Sequence, residues 1–278
     1  MWNAPSLRSL VREIYFSIYV ENPAVDPAVD VENLLGWTAV IPPEPGLRTL
    51  YVWTNDDAGV SASVLERAPA LRAVRNLRLE GPTSASLLSI PRRIESLNIV
   101  SLMRLTLPPL PHLQSLSITD PSVTIVAGST YDHLQNLELW TATSSIEILT
   151  GLHRWAPALH TLSFPVDISI SWEDIRVIVN PLQCLPPSVR VLRVCLPLAL
   201  QLPFLGAIEV LHVVMDPLRH EDIHDVCELI TPAAKKGSLK AVRLAGVTES
   251  QCLRKCIQDQ GLGVRVEFGE VLGFSARK

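Results

Sequence analysis

Aromatic side chains are scarce in this chain of 278 residues, where Phe, Tyr and Trp together make up 5%. Glycine is also scarce, 13 residues against 22 prolines, so the backbone is stopped often and freed seldom. Charged residues reach only 19%, below the roughly 25% of ordinary globular domains. No basic run exceeds a pair (Arg92–Arg93, Lys235–Lys236), and the net charge is −4. A nucleic-acid partner is excluded on that ground, because neutralising phosphates takes clustered Lys and Arg. Cysteine is missing before Cys184, and the five that follow (Cys184, Cys195, Cys227, Cys252, Cys256) contain no C-x-x-C pair. An odd, unpaired set excludes a disulfide framework or zinc knuckle and suits a reducing compartment.

Long hydrophobic runs are lacking as well. The longest uncharged apolar stretch, Val194–Ile208, is 15 residues and is broken by Pro197, Gln201 and Pro203. A spanning helix needs about 20 residues, so no membrane partner is expected. The opening Met1-Trp2-Asn3-Ala4-Pro5 has no basic start and apolar core of a signal peptide. Together these features predict a soluble protein of the cytoplasm or nucleus.

The excess is leucine, 42 residues, in a chain that is 47% hydrophobic. That composition is opposite to disorder. A chain of this length buries roughly three quarters of its unfolded surface. The leucines are not scattered. A phrase, apolar-x-x-apolar-x-apolar, recurs at Leu47/Leu50/Val52, Val74/Leu77/Leu79, Ile94/Leu97/Ile99, Leu113/Leu116/Ile118 and Leu134/Leu137/Leu139. It continues at Leu159/Leu162/Phe164, Val189/Leu192/Val194, Ile208/Leu211/Val213 and Leu239/Val242/Leu244. Between central positions the intervals are 27, 20, 19, 21, 25, 30, 19 and 31 residues. Leucine-rich repeats run about 20–29.

The last two apolar positions of each phrase are two apart, the period of a strand with one buried face. One such unit cannot cover its own apolar side, whereas stacked copies form a continuous strip. The predicted fold is therefore α/β, a leucine-rich-repeat solenoid. A curved parallel sheet forms its concave side, with helices and irregular turns on the convex side. Residues 1–46 are expected to supply a capping strand and loop, 47–247 the solenoid, and 248–278 a capping helix, strand and tail. The alternation Ile14, Phe16, Ile18, Val20 marks the first strand and Val264–Phe268 the last. Long intervals leave room for helices. Ser144-x-x-Glu147 caps a run from Ile146 to Leu152, and Ser171 precedes Glu173 and Asp174, acidic residues suited to a first turn before Ile175, Val177 and Ile178. Thr248-x-x-Gln251 opens Cys252–Ile257, with Gly261 placed to end it. Short intervals carry proline, as in Leu107–Pro111 and Leu202-Pro203-Phe204, and predict extended or 3₁₀ segments.

Several phrases resemble a known group. Leu10-Val11-Arg12-Glu13-Ile14-Tyr15-Phe16, Leu47-Arg48-Thr49-Leu50-Tyr51-Val52, Arg67-Ala68-Pro69-Ala70-Leu71 and Trp155-Ala156-Pro157-Ala158-Leu159-His160-Thr161-Leu162 carry the likeness. The chain resembles the repeat region of the F-box/leucine-rich-repeat proteins of basidiomycete fungi. The resemblance implies a substrate receptor of a cullin-type ubiquitin ligase. Residues 1–46 show no F-box-like Leu-Pro-x-Glu phrase or helical segment, so a ligase adaptor is an expected partner only where an F-box is supplied.

Of catalytic patterns, His220-Glu221-Asp222-Ile223-His224 matches H-E-x-x-H, in which two imidazoles on one helix face hold zinc and the glutamate acts as base. His212, Glu228 and Glu249 are candidate third ligands. Against zinc, Asp222 puts a charge inside the motif, and Cys227 stands where a metzincin has glycine. Acidic residues also suit a helix start. A zinc hydrolase is the alternative; the leading reading is a non-enzymatic binding module with no cofactor and no metal. Neither a G-x-S-x-G elbow nor a phosphate loop occurs. The candidate partner-binding residues are those flanking the last two apolar positions: Tyr51, Trp53, Arg78, Glu80, Asn98, Glu138, Trp140, Arg193, His212 and Arg243. They face outward by strand alternation, and Trp, Tyr and Arg are the types enriched at binding hot spots. The expected partner is a protein of unknown identity.

Overall fold

A computed structural model describes residues 10–18, 38, 40–42, 46–54, 70–81, 92–100, 105–119, 123–125, 128–140, 148–164, 172–202, 207–214, 222–235, 238–245, 255, 258 and 263–269. The chain divides into two compact units. The first is Met1–Leu134 with Arg154–Ala156, the second Gln135–His153 with Pro157–Lys278.

The first unit is built on five parallel strands in chain order: β1 (Glu13–Ile18), β2 (Thr49–Thr54), β3 (Asn76–Glu80), β4 (Ser96–Val100) and β6 (Ser115–Ile118). Their register aligns the phrases. Ile14, Leu50, Leu77, Leu97 and Leu116 lie side by side, and so do Phe16, Val52, Leu79, Ile99 and Ile118. The second unit holds six parallel strands: β8 (Asn136–Leu139), β9 (Thr161–Phe164), β10 (Val191–Cys195), β11 (Val210–Val214), β12 (Ala241–Ala245) and β13 (Arg265–Gly269). Leu137, Leu162, Leu192, Leu211, Val242 and Val266 align there, beside the row Phe164, Val194, Val213, Leu244 and Phe268. All nine phrases thus form strands of open, all-parallel sheets, an α/β arrangement compatible with a solenoid.

The lead-in residue of every phrase, from Leu47 to Leu239, is buried with the two strand positions. Removing each such side chain from water contributes about 1.5–3 kcal/mol. The two end strands are the exceptions: Ile14 and Phe16 in β1, like Val266 and Phe268 in β13, are only half-buried, each strand being paired on one side only among the described residues.

Two backbone devices repeat and explain why the phrase has its shape. First, the carbonyl after most lead-in residues accepts two successive N–H groups of the next strand. Arg12 O accepts from Arg48 N at 2.8 Å and Thr49 N at 3.0 Å, and the pair recurs at Arg48, Arg75, Glu95, Gln135, His160, Arg190 and Glu209. Both lone pairs of one oxygen are used, which satisfies the lead-in backbone where the ladder begins. Second, the lead-in N–H donates to the residue three before it: Val74 to Leu71, Leu113 to Leu110, Leu134 to Tyr131 and Val189 to Pro186. Those acceptor residues are themselves buried, a further apolar station ahead of each phrase. The two Ala-Pro-Ala-Leu phrases fall at different stations. Leu71 belongs to the 3₁₀ turn Leu71–Ala73, while Leu159 is a lead-in residue.

The connections differ in part from expectation. In the first unit β5 (Leu105–Leu107) and β7 (Val123–Ile125) pair in parallel as a separate two-stranded sheet. Three-residue strands are too short to show a period in sequence. The run Ile146–Leu152 is not one helix. Ile148 and Leu149 are helical, Gly151 takes φ +78°, and α1 (Leu152–Trp155) starts after it. That left-handed backbone favours glycine and interrupts helical propagation. Helix α2 (Trp172–Leu182) forms as expected and buries Ile175 and Ile178 together with Leu182. Val177, the third apolar residue of that run, is 47% exposed, because a residue one before Ile178 lies about 100° around the helix. Between β10 and β11 a short helix, α3 (Leu196–Leu200), starts with a proline in its first turn. Helix α4 (Asp222–Lys235) fills the last long interval. Of the expected helix 252–257 only Lys255 is described, and it is helical, as is Gln258 just beyond. The capping residues Ser144, Ser171 and Thr248 lie outside the described residues.

Candidate functional site

Because side chains alternate across a strand, the residues between the buried positions line the opposite face. In the first unit that face carries the row Tyr15, Tyr51, Arg78, Asn98, Ser117, with Ser17, Trp53 and Glu80 as the next row toward the strand ends. Four of these residues close on one another. The Tyr51 hydroxyl donates to Glu80 Oε2 at 2.5 Å, and Arg78 Nη2 donates to the same oxygen at 3.1 Å. The Arg78 guanidinium also lies 5.0 Å from the centre of the Tyr51 ring. Tyr15, 72% exposed, sits against the other side of the cluster with its ring centre 5.6 Å from that of Tyr51. Glu80 is only 4% exposed, so this outward carboxylate is covered by its own neighbours. Such burial is tolerable because a cation and a hydroxyl meet the charge. In the adjacent strand Asn98 Oδ1 is buried with no hydrogen-bond partner among the described residues. Trp53 is half-buried.

In the second unit the equivalent row is Glu138, Ser163, Arg193, His212, Arg243, Glu267. The Ser163 hydroxyl donates to Glu138 Oε1 at 3.5 Å, and Arg193 Nη1 stands 4.0 Å from that oxygen. Arg243 Nη1 is 3.3 Å from His212 Nε2. A guanidinium can only donate, so Nε2 accepts and the ring proton is on Nδ1. Burial, then the charges of Arg243 and Arg193, hold the His212 pKa below its ordinary value and keep the ring neutral. Glu267 is gripped from two sides, by Arg243 Nε on Oε2 at 2.5 Å and Arg265 Nε on Oε1 at 2.8 Å. The Arg243 hydrogen bond is the main reason its pKa is lowered. A cavity of about 260 Å³ opens over β10–β13, with Arg193, His212, Arg243 and Glu267 as its polar lining and Val214 and Phe268 among its apolar walls.

A parallel polar ladder runs at the strand starts of the same unit. Glu209 pairs with Lys240 Nζ at 2.5 Å and lies 3.8 Å from Arg190 Nε. The Lys240 hydrogen bond is the largest influence lowering the Glu209 pKa.

Of the ten candidate residues, the structure joins Tyr51, Arg78 and Glu80 in one cluster, and it joins Glu138, Arg193, His212 and Arg243 in one row. Trp140, one residue past β8, is half-buried, as is Trp53. Three members lie beyond those ten: the short Ser163, and the larger Tyr15 and Glu267. Tyr15 and Glu267 both follow from alternation, since Ile14/Phe16/Ile18 and Val264/Val266/Phe268 put them on the outward face. They were passed over because both lie outside the nine phrases.

His220, Glu221 and Glu249 lie outside the described residues, and of His224 only its place in the first turn of α4 is described. Glu228 is exposed on that helix, and His212 belongs to the β11 row. Among the described residues there is no group of three or more metal-ligating side chains. No described helix is long and apolar enough to cross a membrane. No protein-family model matches the chain, and no curated protein matches it.

Proposed function

We propose that the chain is a leucine-rich-repeat solenoid whose outward strand face binds a protein partner, without enzymatic activity of its own. In such a solenoid this face is the concave side, the usual binding surface. The observation that carries the reading is the six-residue row from Glu138 to Glu267. Register displays it across neighbouring strands, and it is rich in arginine, a hot-spot residue type. The resemblance stated from sequence extends the proposal to a receptor of a cullin-type ubiquitin ligase in the cytoplasm or nucleus.

Site-specific photo-cross-linking in cells tests the face. A cross-linking residue at position 15 or 193 is expected to give discrete protein adducts, and one at position 173 or 176 on α2 is not. Adducts from the helix alone, or none from either outward position, overturn the assignment. The ligase branch is tested by calorimetry with purified adaptor, using an F-box protein as positive control. Absence of heat with this chain would remove that branch and leave the binding face untouched.

A further inference from the structure

Arg193 is the unusual residue of the second row. Among the described residues its nearest carboxylate oxygen is 4.0 Å away and its guanidinium makes no hydrogen bond, although its side chain is only 25% exposed. Its five N–H donors are half-withdrawn from water, with one long ion pair to Glu138 as their charged contact among the described residues. They sit in the cavity, one strand from His212 and two strands from Arg243, about 4.8 Å per step. His212 adds a donor, since its Nε2 is taken by Arg243 and its Nδ1 carries the proton. The charged lining residues are Arg193 and Arg243 against Glu267; with the ion-pair partners just beyond them, Glu138 on Arg193 and Arg265 on Glu267, three arginines face two carboxylates and one positive charge is in excess. The remaining walls, Val214, Leu244, Ala245 and Phe268, are apolar.

We propose that this cavity is a binding site for a monocarboxylate carried on a small apolar group, with Arg193 as the principal anchor and His212 and Arg243 completing the cradle. One excess positive charge matches one carboxylate. A phosphate brings about 1.5–2 negative charges at neutral pH and would leave uncompensated charge beside Glu267 and the apolar wall. At about 260 Å³ the cavity is smaller than the roughly 300–1,000 Å³ of sites for drug-sized ligands, so it suits a single apolar side group. The carboxylate comes from a free short acid or from the terminal residue of a peptide; the recognition chemistry is the same. The site stands independently of the partner-binding reading.

Binding of N-acetyl-leucine, its amide, 4-methylpentanoate and inorganic phosphate to the whole chain is measured by calorimetry or protein-observed NMR. N-acetyl-leucine is expected to bind saturably, and its amide at least about tenfold more weakly, the equivalent of 1.4 kcal/mol. Arg193→Met is expected to weaken N-acetyl-leucine by a similar factor, and Arg176→Met on α2 not at all. Should Arg193→Met disturb folding, Arg193→Lys keeps the charge, removes the planar fork and is expected to bind at an intermediate level. Stronger binding of N-acetyl-leucine than of 4-methylpentanoate assigns the site to a chain end, and equal binding to a free acid. The proposal is overturned by no saturable binding of either acid, by an amide as tight as the acid, by phosphate binding more tightly, or by an unaffected Arg193→Met. Any of these leaves the photo-cross-linking result unchanged, so the two readings fail separately.

Discussion

The two units share one construction and finish their outward faces in opposite ways. In the first, Arg78 is consumed locally: it lies over the Tyr51 ring and pairs with Glu80 two residues along its own strand. In the second, Arg193 has a serine on one neighbouring strand, a neutral histidine on the other, and its nearest carboxylate two strands away. An arginine with its counter-charge two residues along the strand closes on it. One whose counter-charge stands two strands off, beyond a short serine, stays open. Residue type alone does not decide whether an outward arginine is structural or available; the lateral neighbours do.

The largest test of this comparison concerns what the units have in common. Leu97→Ala and Leu192→Ala remove equivalent buried leucines, one in each unit. Each is expected to cost about 2–5 kcal/mol by urea unfolding. Phe268→Ala, at the half-buried end strand, is expected to cost clearly less. Equal losses at Leu192 and Phe268 would mean that β13 is covered as fully as the inner strands. Next in size is Glu80→Ala, which leaves Arg78 and the Tyr51 hydroxyl without their shared acceptor. Because Arg78 is itself half-exposed, the loss is discounted to about 1–3 kcal/mol. It is expected to persist at high salt, since burial shields the carboxylate from screening. A loss that disappears with salt would show the first cluster to be as open as the second.

How much was legible beforehand depends on the distance over which each feature is determined. The buried stations Leu50/Val52 through Val242/Leu244 were legible because strand period and repeat spacing are local and are repeated nine times. The outward position of Tyr51, Arg78 or Arg193 follows from the same alternation. The closure of Glu80 was not legible. Burying a carboxylate depends on Tyr51, 29 residues away, reaching it across the register. His212 and Arg243 lie 31 residues apart, across one of the irregular intervals, so their contact is set by the length of an intervening helix and its turns. The short pair β5–β7 and the break at Gly151 escaped for the opposite reason, being too local to show a period.

The smallest expected effects lie in the second row and come from protons and salt. Glu267 is held by two arginines at the surface, so Glu267→Gln is expected to lower stability slightly at low salt and hardly at all at high salt. Its folded pKa is lowered below the ordinary 4.5, so the unfolded chain takes up the proton first. The stability it lends is present above 4.5 and is lost as pH falls through the folded value. His212 acts in the same direction but higher on the scale. Its folded pKa lies below the ordinary 6.5, so its neutral form is favoured by folding, and the benefit is complete above 6.5 and drains away as pH drops toward the folded value. Melting temperature followed against pH for the wild type and His212→Asn should therefore diverge from about pH 6.5 downward, with the variant losing less. Parallel curves would mean that His212 titrates alike in both states. Neither burial nor the charges of Arg243 and Arg193 would then act on the ring, and the positively biased character assigned to this face, unlike that of the first unit, would have to be given up.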